Sequence, residues 1–413
     1  MTVEDRVVVV GAGISGLVAA RQLQRAGLSA VVYEASDEVG GRIRTDIVDG
    51  FQLDRGFQVL LPAYPELRRQ ASLTDLKLRA FTQGAAAATE DGLRWLAGPW
   101  HGRSALKGSV SFALRYPAAA VALSALAARD AVAPASWLRR PIPRSTGEEL
   151  RRWGVSRGAI EEVMRPFLAG VFLDPALETP ARQFHLIWRC FMRGGGSVPA
   201  DGMQALPRQL AADLTEGSVI TGAEVDEITE SGVRLRSGED VSAATVIVAT
   251  DGSTAARLLP EVAAPQWHAV TTFYYRAPNT VFDSPTLLVD GRSELLLNTV
   301  VLSDAAPEYA PPGEALVVAS VPGHADESLE SAVRQRLGEL YGSTRGWELL
   351  ATYPIPRALP VSNPNQSLRQ SVRVRPGRYV CGDHRDTSSI QGALVSGRRA
   401  ATAVLKDRGM LPQ

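Results

Sequence analysis

Cysteine, histidine and lysine are all scarce in this chain of 413 residues, and each shortage closes off a class of protein. The two cysteines, Cys190 and Cys381, stand far apart, which excludes a disulfide framework or a cysteine zinc site and fits a reducing, cytoplasmic setting. Five scattered histidines form no metal-ligand pattern, so no metal site is expected. Lysine occurs only at Lys77, Lys107 and Lys406, leaving arginine to carry the positive charge. With abundant alanine, that reads as codon bias rather than as a binding surface. Forty-four basic side chains are matched by forty-four acidic ones, so no nucleic acid or other polyanion is an expected partner. The alanine-rich segment from Arg115 to Leu138 has a longest uncharged run, Tyr116 to Ala128, of 13 residues, too short to span a bilayer. The acidic N-terminus runs straight into an apolar strand, so no signal peptide is expected.

What is present begins at residue 7. Val7-Val8-Val9-Val10 reads as a buried parallel strand, Gly11-Ala12-Gly13-Ile14-Ser15-Gly16 as a tight turn, and Leu17 to Ala26 as a helix ended by Gly27. Gly11 permits the turn, Gly13 leaves space where a pyrophosphate must approach, and Gly16 lets helix and strand pack closely. Anions favour such a helix N-terminus, with its free N–H groups and aligned dipoles. Ala30-Val31-Val32-Tyr33 is a second strand ending in Glu34-Ala35, where a carboxylate can accept hydrogen bonds from both ribose hydroxyls and would repel a 2′-phosphate. The unit predicts a dinucleotide cofactor other than NADP.

Two further segments bear on which dinucleotide. Gly40-Gly41-Arg42 follows the acid and brings more bare backbone and a fixed cation toward the same phosphates. At the far end, Arg378 to Cys381 reads as a strand, Gly382-Asp383 as a turn, and Ser388-Ser389-Ile390 onward as a capped helix with small residues at 392, 393, 396, 397, 400 and 401. In this combination the chain resembles the superfamily of FAD-dependent amine oxidases, phytoene desaturases and protoporphyrinogen oxidases. The resemblance implies FAD, an α/β fold with a Rossmann-like FAD-binding domain, and an inserted substrate domain of mixed sheet and helix. It assigns the pyrophosphate to Gly11, Gly13, Ile14, Ser15, Gly16, Gly40, Gly41 and Arg42, and the ribose to Glu34 beside Ala35. It assigns ribityl or phosphate oxygens to Gly382 and Asp383, and the flavin pyrimidine to the helix start at Ser389, Ile390 and Ala393. Gly56, Phe57 and Gln58 match the segment passing the isoalloxazine, and Val225 matches a backbone contact to adenine. The FAD-binding domain is then discontinuous, 1–62, 201–260 and 351–413, with 63–200 and 261–350 forming the substrate domain.

Family amine oxidases usually place a lysine near the flavin and flank the ring with two aromatics. This chain has no lysine in 261–350 and no tyrosine or tryptophan in His384-Arg385-Asp386-Thr387-Ser388-Ser389. Tyr353 to Pro360 instead resembles the Ala-Leu-Pro segment of the desaturases and protoporphyrinogen oxidases. The expectation is dehydrogenation of a C–C or C–N bond in a mainly apolar small molecule, with oxygen or a quinone taking the electrons. Amine oxidation, an NAD-dependent dehydrogenase and a non-catalytic flavoprotein are the alternatives. Tyr274, Tyr275 and Tyr353 are candidates for the cavity wall, although strand alternation turns only one of the adjacent pair inward. His384 is a candidate proton donor. Residues 115–138 are expected to form a helical hairpin over the cavity, with peripheral membrane contact as the alternative.

Overall fold

The computed structural model describes residues 6–90, 92–97, 110–278, 284–325 and 327–411. Lys107 lies outside the described residues. Two large sheets carry the architecture. One has six strands in the order Arg373–Arg375, Arg378–Val380, Thr245–Val248, Arg6–Val10, Ser29–Tyr33, Val219–Ile220. Its inner pairings are parallel, with Val8 opposite both Val246 and Val31. Strands covered on both faces must be apolar throughout, and Val7, Val8 and Val9 are fully buried.

The first helix runs Ile14–Arg25, three residues ahead of the expected start. Gly13 is its extended N-cap residue, so the turn passes directly into the helix. The last helix, Ile390–Asp407, is capped by Ser389, whose hydroxyl accepts from the Gly392 N–H at 3.1 Å. It lies against the first helix so closely that a Cβ on Gly397 would stand 2.1 Å from the Ser15 carbonyl oxygen. The small residues 392, 393, 396, 397, 400 and 401 are all buried.

The second sheet has seven strands in the order Glu348–Pro360, Trp267–Ala277, Ala315–Pro322, Asn298–Val301, Leu287–Asp290, Gly84–Thr89, Gly92–Ala97. The expected boundary at residue 351 falls inside its longest strand, which pairs along Trp267–Ala277 and not with the six-stranded sheet. Helix Glu330–Tyr341 covers one face with Val333 and Leu337, and the other face turns toward the interior that holds the site.

The expected helical hairpin is absent. Pro117 opens a single 16-residue helix, Pro117–Val132, which ends before Pro134, and only the four-residue helix Ala135–Leu138 follows. Two prolines fix these limits, since neither can sit inside a helix without breaking it.

Candidate cofactor and substrate site

One cavity of about 990 Å³ runs between the two sheets. Its polar end is built from the strand-to-helix turn. Gly11 has φ +103°, a conformation that L side chains rarely adopt, and its N–H donates to the Tyr33 carbonyl at 2.8 Å. A Cβ on Gly16 would lie 2.1 Å from the Gly11 carbonyl oxygen, whereas one on Gly13 would meet nothing within 4 Å. Gly13 therefore lines the cavity with bare backbone, and Gly40 docks beside it, donating its N–H to the Ala12 carbonyl at 2.9 Å.

Glu34 stands at the end of its strand, lining the cavity but largely buried. Its carboxylate accepts from the Ala12 N–H at 2.6 Å, from the Ser36 N–H at 2.9 Å and from the Ser36 hydroxyl. Arg42 donates to Asp383 at 2.6 Å and to the Ala358 carbonyl at 2.8 Å, with Trp267 beneath it at 5.6 Å. Burial works against the Arg42 charge, yet Asp383 outweighs it and raises its hold on the proton. Gln58 donates to the Arg42 carbonyl at 2.9 Å, tying the 56–58 segment to this cluster.

The predicted cofactor positions converge on this cavity. Gly11, Gly13, Ile14, Ser15, Glu34, Ala35, Gly40, Gly41, Arg42, Gly56, Phe57, Gln58, Val225, Gly382, Asp383, Ser389, Ile390 and Ala393 all line it. Gly16 stands behind the turn as a packing residue. An elongated dinucleotide fits such a site: bare backbone at a helix N-terminus for phosphate, a buried acid at the strand end for ribose, and a long apolar continuation.

The proposed catalytic side chains do not line it. Tyr274 is fully buried, donating its hydroxyl to the Asp54 carbonyl at 2.8 Å. Tyr275 points to the opposite face of the sheet and packs against Trp347. Tyr353 lies edge-on to Tyr274 and donates to Asp46 at 2.9 Å. The organiser here is Asp54, which also accepts from Thr45 at 2.6 Å, the Met203 N–H at 2.9 Å and Tyr309 at 3.0 Å. Burial pushes its carboxyl up to about 6. His384 is half-buried in the short helical turn Asp383–Arg385. It is tucked beside Gly252 and Gly382, both ring nitrogens lack a partner among the described residues, and burial lowers its pKa to about 4, so it stands neutral.

The wall that sequence reading missed is aromatic. Phe81, Phe112, Phe167, Trp188 and Phe191 line the end away from the glycine turn, with Phe167 in edge contact with both Trp188 (6.3 Å) and Phe191 (5.7 Å). Ile187, Trp188 and Phe191 share one face of helix Ala181–Gly194, a spacing legible as amphipathic but silent about what it faces. Helix Pro117–Val132 closes the cavity with Ala120, Leu123, Ser124 and Ala127.

Comparison with known proteins agrees with this geometry. Residues 14–405 match the family of flavin containing amine oxidoreductases. The chain is 26% identical to hydroxysqualene dehydroxylase of Rhodopseudomonas palustris, in a match covering 96% of this chain and 97% of that protein. It is 45% identical to protoporphyrinogen oxidase 2 of Arabidopsis thaliana over 74 residues, which span 18% of this chain and only 14% of the plant protein's length. Its fold superposes on an oxidoreductase from Methanosarcina mazei with a TM-score of 0.71 at 18% identity, covering 97% of this chain and 100% of the other. With the family match running over nearly its whole length, the chain belongs to the flavin containing amine oxidoreductases and is an FAD-dependent oxidoreductase.

Proposed function

We propose that this enzyme dehydrogenates a C–C or C–N bond of a mainly apolar small molecule held at the aromatic end of the cavity. The observation that carries this reading is the distribution of charge. Among the described residues, the charged side chains lining the cavity are Glu34, Arg42, Arg55, Glu224, Asp251, Arg257 and Asp383. From Phe57 to Gly196 and from Val270 to Ser320, no described lining residue is charged, and none is a histidine or lysine. Burying an ammonium there with no carboxylate partner is costly, which argues against a charged amine. The near-full-length relative, named for hydroxysqualene, favours the same substrate chemistry.

Bound FAD supplies the two-electron acceptor. The chain's own part is placement. The Gly11–Gly16 turn and Gly40-Gly41-Arg42 hold the pyrophosphate, Glu34 the ribose and the Val225 backbone the adenine. Gly382-Asp383 and the helix start at Ser389-Ile390 hold the flavin end. The aromatic wall then excludes water and presses the substrate toward the ring. Oxygen or a quinone takes the electrons.

Access runs through the cover helix. Its inner face lines the cavity, while Val121 on the helix and the flanking Leu114 and Trp137 are 71%, 79% and 59% exposed. Arg139 and Arg140 are exposed beside Trp137. No helix among the described residues is long and apolar enough to cross a membrane, so the contact proposed is peripheral, apolar residues in the interface and arginines at anionic headgroups.

Mass spectrometry of products tests the reaction. Apolar substrates turned over with oxygen or a quinone should yield compounds two hydrogens lighter. Aldehyde and ammonia from benzylamine, with no apolar product, would move the enzyme to amine oxidation.

A further inference from the structure

A row of polar residues crosses the cavity face of the seven-stranded sheet. Register places Asn298 opposite Ser320, Ser320 opposite Thr272, and Thr272 opposite Tyr353, so the four side chains share one face on four adjacent strands. The next row on that face is Val300, Val318, Tyr274 and Ala351, otherwise apolar apart from the tied Tyr274 hydroxyl. Half of the polar row is already engaged. Thr272 accepts from the Phe57 N–H at 3.3 Å and Tyr353 donates to Asp46 at 2.9 Å.

The other half faces the cavity. Asn298 and Ser320 both line it, at 6% and 3% exposure, and Asn298 Oδ1 has no hydrogen-bond partner. Helix Arg165–Phe172 leaves room for that amide, because a Cβ on Gly170 would stand 2.8 Å from Asn298 Nδ2. A buried amide oxygen without a partner is costly unless something supplies one.

We propose that Asn298, with Ser320 beside it, is a specificity-determining site for a neutral oxygen group, a hydroxyl or a carbonyl, on an otherwise apolar substrate. An amide and a hydroxyl each donate and accept, so the pair takes either group. Neither neutralises a charge, so a carboxylate or ammonium gains no counter-ion there. The assignment rests on the apolar-cavity reading above and adds the point at which the substrate is polar.

Equilibrium binding to the FAD-loaded protein tests it, with dodecanol and dodecane as a matched pair and perturbation of the flavin spectrum as readout. One hydrogen bond gained corresponds to a preference of up to about tenfold for the alcohol. Asn298→Leu should abolish that preference while leaving dodecane affinity within about twofold. Gly170→Ala, which crowds the amide without altering it, should also reduce the preference, and it decides the matter should Asn298→Leu fail to retain FAD. A preference unchanged in the variants, or absent from the wild type although dodecane binds, overturns the site and leaves the apolar cavity standing. Failure of both probes to bind overturns the apolar cavity and the site together.

Discussion

Single positions at the glycine turn make opposite demands that can be separated by experiment. Gly16→Ala drives a methyl against the Gly11 carbonyl at 2.1 Å and should destabilise the protein by roughly 1–3 kcal/mol, visible as a lower Tm even without FAD. Gly13→Ala meets no protein atom within 4 Å, so the FAD-free protein should keep its Tm to within about 1 kcal/mol of stability while FAD affinity falls by about tenfold or more. A Gly13→Ala variant binding FAD as tightly as the wild type would place the pyrophosphate elsewhere. Glu34→Gln should weaken FAD by roughly one to two orders of magnitude, from about 1–3 kcal/mol of charge-assisted hydrogen bonding, read by fluorescence titration. These residues were legible in the sequence because they lie within one strand–turn–helix–strand unit and obey local backbone rules. The tyrosines were not. Tyr274 and Tyr353 are claimed by Asp54 and Asp46, residues 220 and 307 positions away, and no local pattern announces such bonds.

Among the elements, the cover helix depends on a buried ion cluster. Its Asp130 accepts from His185 Nδ1 at 2.8 Å, and His185 Nε2 lies 3.4 Å from Glu149 on helix Thr146–Arg152. Arg129 and Arg144 flank the two carboxylates at 2.7 and 2.9 Å, Trp153 donates to Glu149 at 3.1 Å, and Arg189 holds the Asp130 carbonyl at 3.0 Å. Burial opposes charge on His185, but the hydrogen bonds to Asp130 and Glu149 outweigh it and raise its pKa above 6.5. Stability from that proton is fully present below about pH 6.5 and is lost as pH rises through the folded value. Glu149, lowered to about 2 chiefly by His185, adds stability that is present above about pH 4.5 and lost as pH falls toward 2. Thermal unfolding should therefore show the largest advantage of wild type over His185→Gln between about pH 4.5 and 6.5, shrinking on the alkaline side. A difference that is flat with pH would mean that His185 is neutral in the fold. The hairpin expected here failed for a visible reason: alanine content reported helix, but Pro117 and Pro134 set its limits, and the ion cluster together with buried Leu123 and Leu126 fixes what it packs on.

On the scale of the whole molecule, the sequence marked the glycine-turn end of the cavity and left its aromatic end unmarked. Dinucleotide recognition is local backbone geometry, whereas the aromatic wall gathers side chains from residues 81 to 191 whose adjacency exists only after folding. The outer face of the cover helix carries its own test. The protein should sediment with vesicles containing anionic lipid, and Leu114→Asp with Val121→Asp should reduce that binding severalfold without disturbing FAD. Equal sedimentation of the double variant would separate that face from any membrane role. The central claim is that FAD and a mainly apolar substrate share one cavity, whose described lining carries no charge around the aromatic wall. Anaerobic mixing of the FAD-loaded protein with candidate substrates tests it most directly, by loss of the oxidised-flavin absorbance. The account predicts bleaching by bulky apolar molecules that can form a new double bond and none by benzylamine or a short alkylamine. Rapid bleaching by those amines, with no response to any apolar compound, would contradict it.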